Sequence, residues 1–267
     1  MILQKTIIRY WKIILQQDRP FRFILSRVLM TSGISTAITF RRNGYLLRFH
    51  PSALTSSLWI NPEERMQEER FLSTLIKKGD TVIDVGANIG TISLALTKRL
   101  GKLGKCHAIE PHPRIYKYLK NNIALNNLEQ QIETYHVALG ENEKTVLFSD
   151  QSDDSNNQVS ENGPINIEVK KLDDIVNLAN IQLLKIDVEG YEYEVLKGAK
   201  NIAMNSKLIY LECIPELLEK YNAGEEQLVS LLKKYGFKVF QVKGEKLIEN
   251  KVGSHLKKML LAKKVPL

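Results

Sequence analysis

Cysteine is scarce in this 267-residue chain: Cys106 and Cys213 stand far apart, each in apolar surroundings. Two are too few for a disulfide framework and give no metal-ligand spacing, so both read as buried, reduced thiols of a cytoplasmic protein. Long hydrophobic runs are missing as well. In the N-terminal stretch the longest uncharged run, between Arg27 and Arg41, is 13 residues, short of the ~18 that suggest a membrane span. Lys5, Arg9 and Lys12 interrupt the apolar N-terminal stretch and exclude a signal-peptide core. No internal repeat, zinc-ligand spacing, phosphate loop or Ser-His-Asp order is present. Acidic residues are nearly absent from positions 1–50, where nine Lys/Arg face Asp18 alone, and residues 251–267 carry five Lys and no acid. The stretch between is mildly acidic, at −5. Basic character therefore belongs to the ends, and a nucleic-acid partner is not expected.

What remains is the composition of a globular protein with an ample core, 43% hydrophobic and 25% charged. Residues 2–17 have a helical period, with Lys5, Arg9, Lys12 and Gln16 on one stripe and Ile7, Ile8, Trp11, Ile14 and Leu15 opposite. A second apolar and basic segment follows Pro20. Such a basic amphipathic helix can lie on an anionic membrane surface or pack against protein, so residues 1–30 are a candidate for peripheral contact with the inner membrane face. Asn43-Gly44 between two short apolar runs signals a β-hairpin. A loop over Pro51–Asn61 and a helix over Pro62–Leu75 follow, the helix carrying Glu63 and Glu64 in its first turn.

From Asp80 onward, strands and helices alternate. The pattern predicts strands at Val82–Val85, Lys105–Ile109, Ile132–Val137, Gln182–Asp187, Lys207–Glu212, Lys238–Val242 and near Lys258–Ala262. It predicts helices at Thr91–Leu100, Pro113–Asn126, Tyr191–Met204 and Glu225–Tyr235. This alternation implies an α/β fold with a mostly parallel sheet covered on both faces. The polar segment Ser149–Gly163, between strands Thr145–Phe148 and Ile165–Lys170, breaks the alternation as a binding loop would. Residues 1–50 are expected to form a basic helical segment and hairpin, and 51–267 the catalytic domain.

The first strand ends on Asp84 and runs into Gly86-Ala87-Asn88-Ile-Gly90 before a helix. A pyrophosphate would be repelled by an acid at that place, whereas a cationic ligand would not. Glu110 closes the second strand about twenty residues later, where a carboxylate can accept ribose hydroxyls. S-adenosylmethionine, with ammonium and sulfonium charges at one end and a ribose at the other, meets both demands. Asp187 and Glu189 share a side if their strand continues, so two carboxylates converge, and Glu212 at the next strand end can join them. One can orient a ligand while another accepts a proton. The three can alternatively hold Mg²⁺ through oxygen. His112 reads as a surface residue, and His50 and His136 as structural.

These motifs together resemble the FkbM family of S-adenosylmethionine-dependent methyltransferases. The resemblance rests on Val82-Ile-Asp84-Val-Gly86-Ala-Asn88-Ile-Gly90, Ile109-Glu110-Pro111, Val137-Ala-Leu-Gly140, Lys171-Leu-Asp173-Asp174 and, most restrictively, Leu184-Lys-Ile-Asp187-Val-Glu189-Gly190-Tyr-Glu192. It runs from about His50 to Val242, and Asn88 stands where the generic loop has a glycine. The family implies a seven-stranded Rossmann-like fold. It implies that Asp84, Gly86, Asn88 and Gly90, with Ala87 between them, hold the methionine end of the cofactor. Glu110, with Pro111 beside it, would take the ribose, Val137 and Ala138 would border the adenine, and Asp187 would face the methyl group. The expected activity is O-methylation of a sugar, glycolipid or specialised metabolite, with Asp187, Glu189 and Glu212 as catalytic candidates. A noncatalytic subunit docking a glycan-synthesis or membrane complex, and an NAD-dependent oxidoreductase, are the alternatives.

Overall fold

The computed structural model describes residue 14 and residues 17–151, 157–160, 162–253 and 256–265. The helix expected over 2–17 lies almost wholly outside the described residues. The helix at Pro20–Thr31 is present and buries Phe23, Ser26 and Leu29. No helix among the described residues is long and apolar enough to cross a membrane.

A two-stranded hairpin, β1 (Thr39–Arg42) and β2 (Tyr45–Arg48), turns through Asn43 and Gly44 at φ 39° and 80°. Those two positive angles are what the Asn-Gly signal demands. The hairpin is locked down by the buried Arg42, which pairs with Glu69 at 3.0 Å, while Tyr45 Oη donates to the same carboxylate at 2.9 Å. Arg42 also donates to the carbonyls of Pro62 and Glu64. Those bonds hold residues 62–65 in a turn, so the helix expected from Pro62 starts only at Met66 and ends at Thr74. Within the expected loop 51–61, Ala53–Ile60 is a helix, its first turn capped by Ser52 Oγ accepting from Thr55 N–H at 3.1 Å.

The remaining strands are β3 (Thr81–Val85), β4 (Lys105–Ile109), β5 (Ile132–Tyr135), β6 (Ala138–Leu139), β7 (Lys144–Phe148), β8 (Ile165–Lys170), β9 (Ile181–Ile186), β10 (Ser206–Cys213), β11 (Phe237–Lys243), β12 (Lys246–Glu249) and β13 (Lys258–Lys264). The main sheet has the order β12-β11-β13-β10-β9-β3-β4-β5. From β10 through β5 it is parallel, and β13 runs antiparallel between β10 and β11. This is the Rossmann-like methyltransferase sheet of seven strands, widened to eight by the β11–β12 hairpin.

The central strands are apolar on both sides because helices cover both sides. Val82 and Leu183 face one core with Leu94 and Tyr210. Ile83, Val85, Leu184 and Ile186 face the other with Val195 and Leu228. Tyr45 and Leu47 of the hairpin join the first of these cores. The order of strands reverses between β3 and β9, and an open α/β sheet has its crevice there, at the carboxyl ends of the strands.

Two departures from the expected elements shape that crevice. The strand expected over Ile132–Val137 stops at Tyr135, because the chain then steps away and Ala138–Leu139 pairs with β8 in a separate β6-β8-β7 sheet. The helix expected over Tyr191–Met204 is two, Glu192–Lys197 and Lys200–Met204. The break falls at Gly198, where an added Cβ would lie 2.0 Å from the Gly140 carbonyl oxygen. Asp173 accepts from Asn201 N–H and Ile202 N–H, each at 2.9 Å, and so supplies the second helix with its cap. The Asp173→Ala variant should lose about 1 kcal/mol of stability, as cap removal does. Urea unfolding should show this as a lower midpoint at unchanged slope.

Candidate active site

A cleft opens at the reversal point, the place where an open α/β sheet takes its ligands. Gly86, Asn88, Glu110, Pro111, Val137, Ala138, Asp187 and Glu189 line it, and these are eight of the residues singled out from the sequence. Leu139, Phe148, Asn157, Val159, Arg65 and Tyr191 complete much of its wall. Asn157 and Val159 belong to the polar segment, so part of that loop does face the cleft.

Asp84, Ala87, Gly90 and Glu212 are placed otherwise. Asp84 is fully buried behind the turn, accepting from Ser93 Oγ at 2.6 Å and pairing with Lys185 Nζ at 3.0 Å. It supports the loop from beneath instead of reaching a ligand. Ala87 is buried in the core, and Gly90, at φ 93°, starts the Thr91–Leu100 helix. Glu212 sits on β10 beside the cleft, with one oxygen within 4.8 Å of ones from Asp187 and Glu189.

Lys185 stands in the most restrictive sequence motif without a role assigned to it, although a lysine inside an otherwise apolar strand is a visible anomaly. It is opposite Asp84 in the β3–β9 register. Its ammonium reaches Asp84 at 3.0 Å, the Gly86 carbonyl at 3.0 Å and Asp187 at 3.6 Å. Burial alone would discharge it, but Asp84, Asp187 and Glu68 outweigh burial and hold it charged. Gly86 completes the junction, since a Cβ there would sit 1.9 Å from the Asp187 carbonyl oxygen. Turn and strand end can meet only because that side chain is absent.

The loop presents its acceptor groups with similar economy. Asn88 adopts φ 49°, tolerable for asparagine, and its side-chain oxygen accepts from Ile89 N–H at 2.7 Å. Glu110 accepts from Asn88 N–H at 2.9 Å through one oxygen and from His112 N–H at 2.8 Å through the other. Each carboxylate oxygen keeps further acceptor capacity, and Glu110 is part of the cleft lining. Burial pushes Glu110 up to about 7 against those two backbone donors. A carboxylate with two remaining lone pairs, over a glycine turn that needs an absent Cβ, fits the ribose and methionine portions of S-adenosylmethionine. His112 is not a surface residue: it is buried, and its Nδ1 accepts from Arg114 N–H at 3.2 Å to cap the next helix.

The acids at the far end divide by environment. Burial works against charge on Asp187, but Lys185, Arg65 and Lys257 together outweigh it and lower its pKa. Glu189 is pushed up to about 7 by burial, then by the Glu212 and Asp187 charges. Glu212 is raised too, first by burial and then by Asp187, and its partner is Lys257. The Asp187-Glu189-Glu212 trio offers the oxygens that a divalent cation needs, yet Lys185 and Lys257 already serve two of the three. Glu189 itself has φ 52°. Its turn is closed by Glu192, whose buried carboxylate accepts from Val188 N–H at 3.1 Å and Gly190 N–H at 3.2 Å. Burial pushes Glu192 up to about 8.

Replacing Lys185 with methionine would leave Asp84 and Asp187 buried without their shared cation. Lys185→Met should cost about 3–5 kcal/mol in urea unfolding, the usual result of breaking one side of a buried pair. Adding Asp84→Asn should restore part of that loss, a non-additivity expected of groups in direct contact.

The chain is 25% identical over 191 residues to the hexuronic acid methyltransferase AglP of Haloferax volcanii, covering 69% of this chain and 77% of that protein. It is 25% identical over 175 residues to the 2-O-methyltransferase NoeI of Sinorhizobium fredii, covering 57% and 70%. With two other methyltransferases, one of Beauveria bassiana and one of Sordaria araneosa, the similarity spans 57% and 59% of their lengths. Among solved structures, a SAM-dependent O-methyltransferase from Thermotoga maritima superposes with a TM-score of 0.46 at 16% identity, over 76% of this chain and 66% of that one. Residues 84–239, more than half of the chain, match the family model described as the methyltransferase FkbM domain, and the protein belongs to the FkbM family of S-adenosylmethionine-dependent methyltransferases.

Proposed function

We propose that the protein methylates a hydroxyl oxygen of a sugar or sugar-bearing acceptor. The observation that carries this reading is the opposite displacement of two neighbouring carboxylates on one cleft wall, Asp187 held ionised and Glu189 raised to about 7. Pairs of acids pushed apart in this way divide the work of charge stabilisation and proton transfer. The relatives named for hexuronic acid and for a 2-O position support a sugar hydroxyl as the acceptor.

When bound, S-adenosylmethionine supplies a methyl group already activated by its sulfonium. The protein's own task is alignment and removal of one proton. In this reading Glu110 anchors the ribose through its two remaining lone pairs, and Val137, Ala138 and Phe148 flank the adenine. Asp187 steadies the cationic end. Glu189 takes the proton from the acceptor hydroxyl. One oxygen of Glu212 is buried without a hydrogen-bond partner among the described residues, and it would receive a second acceptor hydroxyl. Lys185 and Lys257 balance the acid cluster, so no divalent cation is required.

The test is transfer of labelled methyl to a panel of glycans and uronic acids, with mass analysis of the product. Glu189→Gln should reduce kcat about 10²–10⁴-fold, the usual contribution of a general base, with cofactor binding retained. A base must be ionised to act, so wild-type kcat/KM should climb with pH through about 7, and the variant should lose that rise. Unchanged activity in Glu189→Gln would remove it from the mechanism. Cofactor binding with no transfer to any acceptor would favour the noncatalytic alternative.

A second element concerns where the enzyme sits. On the Pro20–Thr31 helix, Phe21, Ile24 and Val28 are exposed at 78%, 41% and 55%, at spacings that put them on one face. Arg19, Arg22 and Arg27 belong to the same segment, and only Asp18 opposes the positive charge of residues 1–50. We infer that this face rests on an anionic bilayer. Full-length protein should co-sediment with vesicles containing phosphatidylglycerol and not with pure phosphatidylcholine vesicles. Phe21→Asp with Val28→Asp should abolish that binding, and retention of it would exclude this face.

A further inference from the structure

Arg65 lies outside the span that matches the family, and nothing in the sequence marked it. It precedes the Met66–Thr74 helix with φ 59° and ψ 0°, in the left-handed region. A residue other than glycine is strained there by roughly 1–2 kcal/mol, and such strain collects at ligand clamps. The turn is imposed from outside: Arg42 grips the carbonyls of Pro62 and Glu64, immediately before it. The outcome is a guanidinium on the wall of the cleft, alongside Gly86, Asn88, Asp187 and Glu189.

Three cations stand at this end of the cleft, and two are already engaged. Lys185 is shared by Asp84, Asp187 and the Gly86 carbonyl, and Lys257 is paired with Glu212. The Arg65 carbonyl accepts from Glu69 N–H at 3.1 Å, whereas its guanidinium makes no hydrogen bond and no ion pair within 4.0 Å among the described residues. Burial works against its charge, and the charges of Asp187 first, then Glu68, Glu64 and Glu212, outweigh burial and raise its pKa. A fixed anion and a cation with its donor fork to spare therefore face the same volume beside the glycine turn. That is the complement of an α-amino-acid zwitterion.

We propose that Arg65 and Asp187 form a zwitterion clamp, Asp187 receiving the ammonium and Arg65 the carboxylate of the methionine end of S-adenosylmethionine. This rests on the cofactor assignment of the site. Guanidinium and carboxylate match as a bidentate pair. A carboxylate belonging to the acceptor would meet Glu189 and Glu212 with no compensating charge of its own, whereas the methionine group brings its ammonium with it. Arg65 is thus a cofactor-binding residue delivered by the N-terminal elements rather than by the sheet.

The experiment is calorimetric titration of the full-length protein, wild type and the Arg65→Met and Arg65→Lys variants, with S-adenosylmethionine and with its decarboxylated form. Wild type should bind the intact cofactor about 10–100-fold more tightly than the decarboxylated one, the range for a hydrogen-bonded charge contact. Arg65→Met should lose that preference while its affinity for the decarboxylated ligand stays within about twofold of wild type, which also shows that the variant is folded. Arg65→Lys should fall between. An Arg65→Met variant that keeps the preference, or that weakens both ligands alike, overturns the clamp. A wild type that binds neither ligand overturns the cofactor assignment itself.

Discussion

The site is built on a lysine buried between two strands. Lys185 meets Asp84 across the β3–β9 register and reaches forward to the Gly86 carbonyl and Asp187. Placing three charges where water is excluded is expensive unless each is compensated, so their geometry is tightly constrained. The cofactor turn and the acidic strand end are joined through this ammonium and cannot drift apart independently. Gly86 allows the contact, Ser93 satisfies Asp84 from the helix, and Arg65, Lys185 and Lys257 together keep Asp187 ionised.

On that frame, burial separates acids that the sequence presents as equivalents. Asp187 lies nearest the cations and stays charged. Glu189, two residues on, turns outward in a left-handed conformation, where burial and two like charges raise it. Glu192 is not part of the chemistry, but it holds the shape of the turn by accepting two backbone N–H groups. One short peptide therefore contains a charged acid, an acid raised toward neutrality and a brace. Their functions differ because their surroundings differ.

Much of this was legible in advance. The parallel strands and the cleft-lining positions Gly86, Asn88, Glu110 and Asp187 follow from apolar runs that end in acids and glycines. What escaped is instructive. Asp84 reads as a ligand-facing acid, yet register puts it opposite a lysine about a hundred residues away, a pairing that no local pattern contains. The strand after Ile132 seemed to continue to Val137, but β8 offered Ala138 and Leu139 a different partner. His112 looked exposed between two prolines and proved to be a buried helix cap. Arg65 was invisible because its position depends on Arg42 and a turn held by long-range bonds. Local chemistry is written in the sequence, whereas contacts between distant segments emerge only when the sheet is assembled.

The placement of β13 has a consequence for how the enzyme comes into being. This strand follows β10 and β11 in the chain, yet it inserts between them, antiparallel to both. Lys257, the partner of Glu212, enters the structure at the threshold of that insertion. Glu212 thus takes its lysine partner from the residue that leads into the inserted strand. During synthesis, a chain that already possessed the glycine turn, Glu110 and Asp187 would still lack a neutralised Glu212 and a closed sheet. Closure of the sheet and the pairing of Glu212 depend on the same segment.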